Sequence, residues 1–273
     1  MKNWDDEFAN AIYIEGATDY ITSWENESRA FREEVAINNK AMLNVPYGDK
    51  TRNKYDLFLP KDKPKGLMFF VHGGYWLDFD KSYWSHLAKG GLESGYAVAI
   101  ISYTLCPGTN IPQIIDETTI ALDVVAGEID GPIYLAGHSA GGFLVSRLIC
   151  TDSHLSISTK QKIERCVSIS GVYDLRPLMH TKMNKELNID FETAQSHSPV
   201  LLSPRKGIEH VCWVGENERP EFLRQSQLLK DMWLGFDISH KVYIDKNKHH
   251  FNVIDGLRNA ESPLCKLLFS SRM

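Results

Sequence analysis

From Leu67 onward the chain alternates short, continuous apolar runs with stretches of helical spacing. The runs are Leu67–Val71, Tyr96–Tyr103, Ile133–Ala136, Cys166–Ile169, His210–Val214 and Lys241–Ile244. Between and after them, Lys81–Glu93, Ile111–Val125, Ala140–Ile149, Phe222–Trp233 and Ile254–Leu268 read as helices. The runs lack the in-out alternation of a half-exposed strand, so both of their faces must be covered. Strand and helix in repeated succession predict an α/β fold, with a mostly parallel central sheet flanked by helices. Leu43–Tyr47 and Tyr55–Leu59, separated by the turn residues Gly48-Asp49-Lys50, predict an antiparallel hairpin at a sheet edge.

Two segments fall outside this rhythm. Residues 1–40 are polar with scattered aromatics (Trp4, Phe8, Tyr13, Tyr20, Trp24, Phe31), with a short helix expected at Ser28–Glu34. They read as an amino-terminal arm lying over the main domain. Residues 173–207 hold Pro177, Pro199 and Pro204 in mixed polarity and are too long for a simple connection. They read as a small insertion folded over the sheet edge and the site. No linker divides the 273 residues, so a single domain is expected.

Composition narrows the function classes. The net charge is -5 and the basic residues are scattered, which argues against a nucleic-acid partner. No apolar run approaches the roughly 20 residues needed to span a bilayer, and the amino terminus lacks the pattern of a secretory signal. A cytoplasmic protein without a membrane partner is expected. The five cysteines are widely spaced with no CxxC pair, so they predict core thiols in a reducing compartment, with no metal and no cofactor. The oligomeric state is left open, a homodimer included.

The chemistry concentrates in three places. Gly137-His138-Ser139-Ala140-Gly141 is a G-x-S-x-G pentapeptide. It arises by chance in about one chain in ten of this length, so its weight comes from context. An apolar strand runs into it and a helix leaves it, which is the strand-turn-helix that a nucleophile elbow requires. Ser139 is therefore the expected nucleophile. His72-Gly73-Gly74-Tyr75-Trp76 follows the first apolar strand directly. Its paired glycines leave backbone N–H groups unobstructed, so the amides of Gly73 and Gly74, with that of Ala140, are expected to form an oxyanion hole. His72 and His138 are read as shaping their loops. The base is expected late in the chain, after the last strand, where His249 and His250 stand. The acid is expected after the preceding strand. Glu218 lies three residues past Gly215, with Glu216, Glu221 and Asp245 as rivals.

Taken together, His72 to Trp76, Gly137 to Gly141, Val214 to Phe222 and His250-Phe251 give the chain a resemblance to the α/β-hydrolase superfamily, and within it to the arylformamidase (kynurenine formamidase) and esterase group. Tyr47-Gly48, Tyr55 to Pro60 and Ser198-Pro199 also resemble that group. The His250-Phe251 step favours His250 over His249 as the base. Where family members often carry aspartate, this chain has Glu218, one methylene longer.

The resemblance implies an enzyme without cofactor that takes a small molecule as substrate. It would cleave an aryl formamide such as N-formylkynurenine through Ser139, His250 and Glu218. A carboxylesterase for small acyl esters uses the same machinery and is the alternative. An intact serine, paired glycines and a late histidine argue against a non-catalytic binding protein. Tyr75 and Trp76, beside the oxyanion loop, are the expected walls for the leaving group's ring. Tyr13, Tyr20, Trp24 and Tyr173 are further candidates.

Overall fold

The computed structural model describes residues 2–38 and 40–270. Eight strands form one sheet: β1 (Ala41–Pro46), β2 (Lys54–Phe58), β3 (Leu67–Val71), β4 (Ala97–Ile101), β5 (Ile133–His138), β6 (Ile163–Ile169), β7 (Glu209–Gly215) and β8 (Ser239–Asp245). Their order is β1-β2-β4-β3-β5-β6-β7-β8. From β4 to β8 every pair is parallel. The β1–β2 pair is antiparallel, as the hairpin signal predicts, and so is β2–β4, so β2 alone runs against the rest of the sheet.

In β3, Leu67, Phe69 and Val71 enter one core cluster, and Met68 and Phe70 enter the other. Successive side chains of a strand point to opposite faces. A run that is apolar at every position therefore feeds two cores, and this is why the central strands show no alternation.

The helices are α1 (Trp4–Glu7), α2 (Ala17–Ile37), α3 (Ala88–Glu93), α4 (Ile111–Glu128), α5 (Ala140–Leu148), α6 (Ile157–Lys162), α7 (Asn184–Leu187), α8 (Phe191–His197), α9 (Pro220–Trp233) and α10 (Pro263–Phe269). None of the described helices is long and apolar enough to cross a membrane. The Asn110 side chain caps α4 by accepting from the Gln113 amide at 3.0 Å, and Pro112 opens its first turn.

Three local expectations need correction. The helix expected at Ser28–Glu34 is much longer and runs from Ala17 to Ile37. Tyr20, Trp24, Phe31 and Val35 fall on one side of it and pack against the second core, so tertiary burial extends a helix whose polar sequence gave little signal. The helix expected over Lys81–Glu93 begins as two 3-10 turns and becomes α-helical only at Ala88. The carboxyl-terminal helix is split into a 3-10 turn at Asp255–Arg258 and α10, because Pro263 suits a first turn but not a helix interior.

Residues 173–207 fold into short helical pieces beside α9. The Trp233 indole N–H donates to the carbonyls of Pro199 and Leu202, and Pro204 forms a bridge to Cys150.

Candidate active site

The turn between β5 and α5 carries Ser139 at φ 55° and ψ -117°. A non-glycine residue there is strained by about 1–3 kcal/mol and persists only where its surroundings impose it. Here they do. A β-carbon at Gly137 would lie 2.2 Å from the Gly141 carbonyl oxygen, and one at Gly141 would lie 2.0 Å from the Val71 oxygen. The glycines thus let α5 press against β5 and β3. The Ser139 amide donates to the Ile169 carbonyl at 2.8 Å, tying the turn to β6.

The loops that follow β7 and β8 meet above this turn, where the Asn217 amide donates to the Lys248 carbonyl at 2.8 Å. They bring three side chains into line. His250 Nδ1 lies 2.7 Å from Glu218 Oε2, and His250 Nε2 lies 3.1 Å from Ser139 Oγ. A carboxylate can only accept, so the imidazole proton sits on Nδ1 and the Nε2 lone pair faces the serine hydroxyl. All three side chains are buried. Glu218 Oε1 accepts from the Ser170 hydroxyl and from the Gly215 amide at 3.2 Å. The Phe222 ring packs 4.5 Å from the imidazole.

The remaining candidates occupy other positions. His249 faces the arm, its Nε2 3.2 Å from the Tyr20 hydroxyl. Glu216 accepts from the Asn247 amide, Asp245 from the Trp213 indole, and Glu221 from Arg224 and Gln225. His138 donates from Nε2 to the His250 carbonyl at 2.9 Å, and its burial holds its pKa well below the usual histidine value. His72 is also buried, with its pKa lowered to about 4. It stacks on Tyr103 and donates from Nδ1 to the Gly73 carbonyl at 2.7 Å. Both rings are therefore neutral and brace the loops around them.

Gly73 lies against the Ser139 turn: a β-carbon there would come within 2.9 Å of the Ser139 β-carbon. Gly74 has φ 103°, which favours glycine, and its carbonyl closes a tight turn by accepting from Leu77 and Asp78. Among the described residues, no backbone carbonyl accepts from the amides of Gly73, Gly74 or Ala140. These three donors are thus left for another acceptor.

A cavity of 480 Å³ opens over Ser139 and His250. Tyr75 lines it, with its hydroxyl donating to the Phe8 carbonyl at 2.7 Å. Trp76, expected beside it, is not in the lining. It is fully buried and packs edge-on against Phe143, 5.2 Å away, because the tight turn at Gly74 sends the two rings apart. Tyr173 is likewise in the core, bonded to Ser168, and Tyr13 lies under the Arg219 guanidinium. Trp24 does line the cavity, with Phe79, Trp84 and Phe251.

The sequence reading missed Ser170 and the arm residues Phe8, Asn10, Ile12 and Ile21. Ser170-Gly171, directly after β6, was the available signal for the first. Nothing local marked the others.

Comparisons with known proteins agree with this architecture. The BD-FAE family profile matches residues 55–257. A kynurenine formamidase of Salmo salar is 30% identical over 246 residues, covering 84% of this chain and 81% of that protein. One of Danio rerio is 27% identical over 262 residues, covering 92% and 89%. A crystal structure from Silicibacter sp. TM1040, provisionally described as a thioesterase, superposes with a TM-score of 0.93 at 45% identity, covering 99% of this chain and 100% of that one.

Proposed function

This chain belongs to the BD-FAE family of α/β-hydrolases, in the arylformamidase and esterase group, and from that membership we propose that it cleaves aryl formamides by acyl transfer through Ser139, His250 and Glu218. It is a hydrolase whose relatives act on formamides and esters. The observation that carries the finer reading is one imidazole bridging a strained serine and a buried carboxylate, 3.1 Å and 2.7 Å away, on the floor of an aromatic cavity.

The chemistry follows from the atoms. As Ser139 Oγ attacks the carbonyl carbon, its proton passes to His250 Nε2. The resulting imidazolium is stabilised by Glu218, whose second oxygen is held by Ser170 and Gly215. The tetrahedral oxyanion rests on the free amides of Gly73, Gly74 and Ala140, each worth roughly 3–4 kcal/mol in the transition state. His250 then protonates the departing aryl amine. The same ring draws a proton from water as the water oxygen attacks the formyl carbon, and returns it to Ser139 Oγ as the C–Oγ bond breaks and formate leaves.

Formyl is the smallest acyl group, so the space in the cavity serves the leaving group. Trp24, Phe79, Trp84 and Phe251 offer a wall on which an aromatic ring can pack.

A second reading is an ester or thioester hydrolase, favoured by the 45% identity to the Silicibacter protein. Kinetics on N-formylkynurenine, formanilide, short p-nitrophenyl esters and an acyl thioester separate the two. The formamide reading expects efficient turnover of both formamides. Turnover of esters or thioesters with the formamides left intact overturns it. A fluorophosphonate probe is expected to label the native chain and not Ser139→Ala.

A further inference from the structure

At the opposite end of β7 and β8 from Glu218 and His250, three metal-ligating side chains converge. His210 and Cys212 are two residues apart on β7 and share one of its faces. His240 of β8 is the direct register partner of His210. The two imidazoles lie 4.7 Å apart, and Cys212 Sγ is 3.6 Å from His240 Nε2. One ligand atom from each residue falls within 4.8 Å of the others. Trp233 packs edge-on against both rings.

The hydrogen bonds fix the tautomer of His210. Ser146 Oγ gives its proton to the Gly142 carbonyl at 2.8 Å, so it can only accept from His210 Nε2, 3.2 Å away. The His210 proton is therefore on Nε2, and Nδ1 is a bare lone pair. That atom is buried and has no partner among the described residues. His240 Nδ1 is also buried without one. Burial lowers the pKa of both rings. An unmatched buried acceptor needs an explanation, and an ion is one.

We propose that His210, Cys212 and His240 form a binding site for a zinc-class cation, with His210 Nδ1, Cys212 Sγ and one ring nitrogen of His240 as ligands. Two imidazoles and a thiolate are the donor set such a cation takes. Binding replaces the thiol proton: Zn²⁺ and Cys–SH give a zinc thiolate and one proton released to solvent. Ser146 holds the outer N–H of His210, the support a ligating histidine usually has. The cation is structural. It clasps the edge strand β8 to β7 and takes no part in hydrolysis, so this site stands or falls apart from the catalytic reading.

Cobalt(II) and zinc(II) titrations of the reduced, metal-stripped protein test it. Cobalt is expected to bind one equivalent with a thiolate charge-transfer band, and zinc to raise Tm. Cys212→Ser should lose the band. His240→Gln, at a half-buried position that leaves folding least disturbed, should weaken zinc binding at least tenfold. Far-UV circular dichroism checks the fold of each variant. Absence of the charge-transfer band in the native chain, an unshifted Tm with zinc, or undiminished binding in a folded His240→Gln overturns the proposal.

Discussion

The floor of the cavity is made by the turns after β3, β5 and β8, with the turn after β7 behind them holding Glu218 against His250, whereas residues 8–24 of the arm supply its roof. On the floor, the side chains of the proposed triad are firmly held. Ser139 sits in a strained conformation, glycines stand where a β-carbon would strike backbone, and Glu218 accepts from three donors. The roof is held differently. Phe8, Ile12, Ile21 and Trp24 meet the cavity through apolar surface. A few polar clasps tether that end of the arm: Asp6 to Arg219 at 2.6 Å, Asp5 to the Lys182 amide at 2.6 Å, and Tyr20 to His249 at 3.2 Å. A rigid floor preserves reaction geometry, where small displacements are costly. Apolar contact is non-directional, so the roof can change its lining without disturbing the chemistry.

The sharpest way to break this contrast is on the floor. Ser139→Ala should lower kcat by about five to six powers of ten while the protein stays folded, as measured by single-turnover kinetics and thermal unfolding. Glu218→Gln keeps the shape but loses the charge that stabilises imidazolium, and should cost roughly four powers of ten in kcat. Ser170→Ala removes one charge-assisted hydrogen bond to Glu218 and should cost about ten- to a hundredfold, with KM little changed. If Ser170→Ala instead raised KM alone, the acid would not be held as described.

Acid should test how firmly the buried histidines support the fold. His72 and His86 are pushed down from 6.5 to about 4 by burial. Their folded values lie below the unfolded one, so the unfolded chain takes up protons first as pH falls. The stability they confer is complete above pH 6.5 and is lost on descending towards pH 4, by up to about 3 kcal/mol for each. Urea unfolding between pH 7 and pH 4 measures this, and a flat profile would contradict it.

The smallest effect belongs to the roof. Ile12 lines the cavity yet is 76% exposed. Ile12→Ala should raise KM for aryl substrates a few-fold, by about 1 kcal/mol of lost apolar contact, with kcat and Tm unchanged. A fall in kcat would show that roof and floor are coupled.

The same division governs what could be read in advance. The central strands and the nucleophile turn were legible because short stretches encode them: Ile133–Ala136, the pentapeptide and the helix after it are contiguous. The acid was narrowed to a few carboxylates by spacing. Glu221 has a local partner in Arg224, three residues on along α9, but nothing in the stretch around Glu218 says that it turns to His250. The position of Trp76 was not legible either. Its neighbour Tyr75 has the same aromatic character, and only the backbone turn sends one ring to the cavity and the other to the core.

By itself, then, the sequence determined the parallel sheet, the antiparallel edge and the strained turn at Ser139, since each follows from the order of residues a few positions apart. Tertiary structure decided which late histidine meets the serine, which arm residues cover the cavity, and that His210 lies beside His240. Those pairings join residues from 30 to more than 200 positions apart. They depend on strand order and register, which are set by the packing of the whole sheet and not by any single stretch of it.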